Sequence, residues 1–124
     1  MTKIGIIRCE KNETTCPLTG CITCLEQRTQ GFKSYDAATL AGIFTCRCPG
    51  DNVVNLAKIL KAKGAEVIHV ATCLFANKVD GKWVLEGDGF CEKHEQLLSQ
   101  MREATGIPCI KGTAHLPEGY SPEI

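Results

Sequence analysis

Three short runs rich in β-branched residues each end in a cysteine: Lys3 to Cys9, Leu40 to Cys46 and Val67 to Cys73. Each reads as a strand. Between the second and third, Asp51-Asn52 caps a segment with Val53, Leu56, Ala57 and Leu60 at helical spacing, with Lys61 and Lys63 suiting its C-terminal dipole and Gly64 as stop. Thr19 is read as the cap of another helix running toward Gln30 and closed by Gly31. Glu92 to Thr105 carries Leu97, Leu98, Met101 and Ala104 on one stripe before Gly106 and a fourth strand, Ile107 to Thr113, where Pro108 suggests a sheet edge. Strands alternating with helices predict an α/β fold, a flavodoxin-like three-layer sandwich on a four-stranded parallel sheet of order 2-1-3-4. Asp80-Gly81, flanked by Lys78-Val79 and Lys82-Trp83-Val84, predicts a small β-hairpin inserted after the third strand, with Trp83 anchoring it. At 124 residues the chain suits one domain, 1–124.

Nine of those residues are cysteines, at 9, 16, 21, 24, 46, 48, 73, 91 and 109. An odd number, just below the density of disulfide scaffolds, points to reduced thiols with metal, cluster or redox chemistry. The start of the chain, Thr2-Lys3 running straight into Ile4-Gly5-Ile6-Ile7-Arg8, lacks an apolar leader, and a cytoplasmic location is expected. Fourteen basic residues balance fourteen acidic ones, so no basic stripe is available for nucleic acid or anionic lipid, and no apolar run reaches the ~20 residues of a membrane span.

In open α/β sheets, ligands bind beyond the carboxyl ends of the strands, where strand order reverses. That edge is sulfur-rich here. Cys9, Cys46 and Cys73 end strands, and the loops leaving them add Cys16 and Cys21, Cys48, and Cys91 with His94. These eight residues are the expected metal ligands. Cys91-Glu92-Lys93-His94 has a spacing that zinc accepts at the start of a helix, and Cys48 and Cys91 precede helix N-termini, which favour thiolate. Cys24 and Cys109 are read as core residues, His69 as a satisfied core histidine, and His115 as a solvated residue of the tail. Arg47 is either exposed or paired with a thiolate or another anion.

These motifs, Lys3-Ile4-Gly5-Ile6-Ile7-Arg8-Cys9, Cys16-Pro17 through Cys21, Thr45 to Gly50, Ile68-His69-Val70-Ala71-Thr72-Cys73 and Cys91 to Glu95, resemble the CGGC-domain proteins over nearly the whole chain. The resemblance implies a small cysteine-rich α/β protein that binds metal. It departs at the eponymous motif, which reads Cys46-Arg47-Cys48-Pro49-Gly50, one residue shorter. Soft thiolates select zinc, copper(I) or iron–sulfur clusters, so the leading expectation is a zinc ion or iron–sulfur cluster at the strand edge. The alternative is a cytosolic thiol–disulfide oxidoreductase or redox sensor using the same cysteines, with a redox partner, or a homodimer sharing a site across a two-fold, left open. No cysteine has an arginine six residues on, which removes the Cys-x5-Arg loop of phosphatases and arsenate reductases. Glycine-rich nucleotide motifs are also absent.

Overall fold

The computed structural model describes residues 2–48, 50–85 and 89–122. Its elements run β1 (Thr2–Cys9), α1 (Thr19–Gln27), β2 (Ala38–Cys46), α2 (Val53–Ala62), β3 (Val67–Val70), β4 (Asn77–Val79), β5 (Lys82–Val84), α3 (His94–Thr105) and β6 (Cys109–Lys111). Four strands form a parallel sheet of order β2-β1-β3-β6, and β4 and β5 pair as an antiparallel hairpin. This is the expected flavodoxin-like order. The expected edge strand is β6, and Trp83 of the hairpin stacks on His115, ring centroids 5.7 Å apart and nearly parallel. No helix among the described residues is long and apolar enough to cross a membrane.

Two apolar layers cover the two faces of the sheet. Ile4 and Ile6 of β1 pack with Leu18, Leu25 and Phe32 on the α1 side. Ile7 and Cys9 point the other way, into a layer with Val53, Ala57 and Leu60 of α2 and Leu97, Leu98 and Met101 of α3. The alternation follows from the two-residue period of a strand, and β1, covered on both faces, has an unbroken apolar run from Ile4 to Ile7. Burying five of these large aliphatic side chains, at roughly 1.5–3 kcal/mol each, already matches the net stability of an ordinary domain before entropy is counted.

His69 sits at the middle of β3 with no exposed surface. One ring nitrogen, Nδ1, lies 2.7 Å from the Gly112 carbonyl oxygen and the other, Nε2, 2.7 Å from the Tyr35 hydroxyl. A carbonyl can only accept, so Nδ1 carries the proton and Nε2 accepts from Tyr35. Burial pulls its pKa down to about 4. The residue is a satisfied core histidine, as its place inside a strand suggests.

Several boundaries differ from the sequence expectation, each for a local reason. The third strand ends at Val70, and Cys73 lies in a 3-10 turn, Thr72–Leu74. The Thr72 hydroxyl donates to the Ala114 carbonyl at 2.5 Å and accepts from the Thr113 amide at 3.1 Å, which draws the chain out of the ladder. Thr19 is the first helical residue of α1, not its cap. The cap position is Leu18, in a left-handed conformation with no side-chain bond, and the helix stops early at Arg28, also left-handed. Asn52 does occupy the α2 cap position, but its side-chain oxygen accepts from the Arg47 amide at 3.4 Å instead of capping the helix. The last helix begins at His94, two residues later than expected, and the fourth strand is shorter at both ends.

Candidate metal centre

β1 and β2 end side by side, with Cys9 opposite Cys46. A register shift between Ile4 and Gly5 produces this pairing: Ile4 faces Leu40 but Gly5 faces Gly42, leaving Ala41 as the extra residue of a bulge. Had the register run on from Ile4–Leu40 without the shift, Cys9 would pair with Thr45, and Cys46 would point to the opposite face of the sheet from Cys9. The bulge therefore puts both thiols on the α2/α3 side, where both are buried.

Cys9 and Cys46 form the floor of a cavity of about 230 Å³, whose walls carry Cys48, Cys91, Lys11, Lys93 and Leu97. That volume is below the ~300–1,000 Å³ of pockets for drug-sized ligands, and suits an ion or a very small molecule. Burial pushes the Cys46 thiol up to about 11, and the neighbouring thiols of Cys91, Cys9 and Cys48 add to the rise. Cys9 is raised by burial first, partly offset by the Lys11 backbone N–H that donates to its sulfur. Four thiols from the ends of two strands and two loops thus feel one another across one cavity. Among the described residues, no three His, Cys, Asp or Glu side chains are already drawn together at ligating distances. The donors are right in kind for a soft metal, and each cysteine side chain turns about a single torsion.

The loop bearing the shortened motif is held by partners that the sequence reading did not single out. The Arg47 guanidinium makes a two-pronged pair with the Glu13 carboxylate, at 2.8 and 3.0 Å, and the Glu10 carboxylate accepts from the Cys48 amide. Arg47 is therefore exposed and paired with a carboxylate, not with a thiolate. Glu10 and Glu13 follow β1 at a three-residue spacing, and that acidic pair beside Lys11 was the available signal. Pro49 of the motif lies outside the described residues. Gly50 closes the loop at φ +95, and a Cβ there would meet a Leu97 methyl at 2.9 Å. Opposite, Gly89 presses on the turn bearing Cys73, where a Cβ would stand 2.5 Å from the Cys73 carbonyl oxygen. The Phe90 and Cys91 amides then donate to the Cys73 and Leu74 carbonyls, both at 2.9 Å, which brings Cys91 back over the cavity.

The remaining sequence-expected ligands do not line this cavity. His94 is buried, its ring 6.1 Å from that of Phe75 and its Nδ1 3.7 Å from the Glu95 carboxylate. Cys16 and Cys21 lie on the α1 side of the sheet. Cys73 stands between the two sides: it packs against the α2/α3 layer, accepts a hydrogen bond from Asn12 Nδ2 at 3.2 Å, and feels the thiols of Cys21, Cys9 and Cys16. The eight expected ligands thus separate into four around the cavity, Cys16 and Cys21 on the other face, Cys73 between the two, and His94 apart. Cys109 is buried in the core as expected, whereas Cys24 is only half-buried, packed against the edge of the α1-side layer.

An uncharacterised protein of the archaeon Methanocaldococcus jannaschii is 30% identical over 118 residues, covering 90% of this chain and 85% of that one. No solved structure matches the chain. The CGGC domain matches residues 3–114, which include both strand-end cysteines of the cavity, the altered motif and Cys91. The chain belongs to the CGGC-domain family.

Proposed function

We propose that the protein binds a soft metal in the cavity at the end of β1 and β2, through Cys9, Cys46, Cys48 and Cys91. The observation that carries this reading is the convergence of four thiols on one small cavity, aided by a bulge that a packing role for Cys46 does not require. Four sulfur donors match the ligand count of one tetrahedral zinc, and equally of one iron–sulfur cluster. Held by all four thiolates, a zinc ion would be coordinatively closed and would supply a structural cross-link. Lys11 and Lys93 at the rim offset the negative charge that four thiolates bring, and Lys11 is steadied by donating to the Phe90 carbonyl at 2.9 Å. His94, Cys16, Cys21 and Cys73 are not assigned to this ion.

The experiment is metal and acid-labile sulfide analysis of the protein purified anaerobically without added metal, with its absorption spectrum. Zinc without colour, or iron with sulfide and visible absorption, supports the reading and identifies the group. Loss of that metal in Cys46→Ser and in Cys91→Ser places it in this cavity, whereas full loading in both variants refutes the assignment. A second reading rests on the Cys9–Cys46 register. Neighbouring strands stand about 4.8 Å apart, inside the ~4.4–6.8 Å Cα spacing of disulfides, so these two thiols could serve as a redox pair. Metal-free protein that loses two thiols to a mild disulfide oxidant, with a Cys9–Cys46 cross-link by peptide mapping, would favour it.

A further inference from the structure

The two edges of the parallel sheet are finished differently. At one, β6 is three residues long and follows Pro108, and its outward carbonyls are taken: that of Cys109 accepts from Arg102 Nε and Nη2 at 3.0 and 2.7 Å, and that of Lys111 from the Tyr120 hydroxyl at 2.8 Å. A short edge with its acceptors occupied is closed to further strands. At the other, β2 runs for nine residues, Ala38–Cys46, and pairs with β1 alone. It contains no proline and no charged residue, and among the described residues nothing donates to or accepts from its outer backbone groups. From Ala38 to Thr45 every residue is half-buried, whereas β1 is buried from Ile4 onward. The bulge at Ala41 is the one edge-blunting feature of β2, and on either side of it Ala38–Leu40 and Gly42–Cys46 pair regularly with β1.

α2 extends this open edge with an apolar side chain. Leu60 stands over the middle of β2, since a Cβ on Gly42 would meet one of its methyls at 3.3 Å, and its neighbour Ile59 is therefore level with mid-strand. Ile59 is 43% exposed. Val54 and Lys61 mark the α3 side of the helix, the first lining a groove with Gln100 and Ala104 and the second donating to the Thr105 carbonyl at 2.6 Å. With 3.6 residues per turn, Ile59 is rotated about 160° from Lys61, away from α3 and toward the β2 edge.

We propose that the β2 edge is the interface of a homodimer, in which β2 pairs antiparallel with β2 of a second copy about a two-fold axis near Gly42, joining the two sheets into one. Charge selects both the orientation and the partner. Asp36 precedes the strand and Arg47 follows it, both exposed, and the pairing of Arg47 with Glu13 leaves its side chain 57% open. Antiparallel pairing about mid-strand sets Asp36 of each copy beside Arg47 of the other, at both ends of the interface, whereas parallel pairing would set like beside like. Overall charge does not oppose the approach, because fourteen basic residues balance fourteen acidic ones. Every second residue of an edge strand turns its N–H and C=O outward, so the paired edges supply about eight backbone hydrogen bonds, within the ~10 ± 5 of an ordinary interface. The two Ile59 side chains then face each other across the axis and add apolar burial beside the strands.

Neither thiols nor metal enter this pairing, so it stands or falls apart from the four-thiol cavity. The test is sedimentation equilibrium of the whole protein over a range of concentrations in excess reductant, combined with amide hydrogen exchange. The wild type should show mass action between one copy and two, and amides within Ala38–Cys46 should exchange more slowly as the dimer fraction rises. Ile59→Glu and Asp36→Lys, each at an exposed position and checked for folding by near-UV circular dichroism, should each raise the dimer dissociation constant by about tenfold, since both set like charges together in the interface. A wild type that is monomeric at every concentration overturns the proposal, and so does one whose β2 amides are protected by an extended segment of another protein instead. A dimer whose β2 amides exchange as fast as in the monomer, or one that both substitutions leave unchanged, also overturns it.

Discussion

Lowering the pH from 7 to 5 should cost the fold about 2 kcal/mol through His69 alone, taking the buried pKa of about 4 against 6.5 when unfolded. The sign follows from which state binds the proton. The unfolded chain protonates this imidazole below pH 6.5, while the folded chain resists until about 4, because protonation at Nε2 would remove the acceptor that Tyr35 uses and place a charge in a site with no exposed surface. Stability from this residue is therefore complete above pH 6.5 and is lost progressively as pH falls from 6.5 toward 4. For a domain of this size the loss at pH 5 corresponds to roughly 6–10 °C in Tm. Urea unfolding of wild type and His69→Gln at pH 7, 6 and 5 separates this contribution from carboxylates common to both: the wild type should lose stability more steeply. NMR titration gives the direct check, since the His69 ring proton should hold its shift to pH 5. Parallel pH slopes for the two proteins, or a His69 midpoint near 6.5, would refute the reasoning. Tyr35→Phe serves as companion, leaving Nε2 buried without a donor at a cost of ~1–3 kcal/mol.

Gly50→Ala should destabilise the protein by about 2–4 kcal/mol, combining positive-φ strain with the Leu97 contact, and an unchanged Tm would show that the loop can re-form around a side chain. At fixed free zinc, apparent affinity should rise with pH, because the Cys46 thiol at about 11 holds a proton that the metal must displace; competition with a chelator at pH 6.5, 7.5 and 8.5 measures this, and a flat profile would contradict ligation by Cys46. Under native conditions the exposed Cys48 should be the first thiol alkylated by iodoacetamide, while Cys46 and Cys109 should react only on unfolding; peptide mapping reads the order, and early labelling of Cys109 would contradict its burial.

The strand–helix alternation, the sheet order and the inserted hairpin were all legible in the chain, because hydrophobic period and turn chemistry are local properties and right-handed crossovers leave few arrangements of four parallel strands. So was the roster of sulfur at one edge of the sheet. What the chain could not reveal was how eight candidate ligands divide. Whether Cys46 joins Cys9 depends on the register shift that leaves Ala41 unpaired, and a bulge is a property of two strands laid side by side, invisible in either alone. Cys73 leaves its strand because Thr72 meets Thr113 and Ala114, forty residues away in sequence and adjacent only once β6 has docked. Arg8 and Asn12 look ordinary in the sequence, and the placing of Asn12 between the Arg8 guanidinium and the Cys73 sulfur arises only from the path of the loop after β1. Local patterning thus determined the architecture and the chemistry available to it. Long-range packing decided which thiols meet, since the side of the sheet a side chain faces is set by register and by where each strand stops.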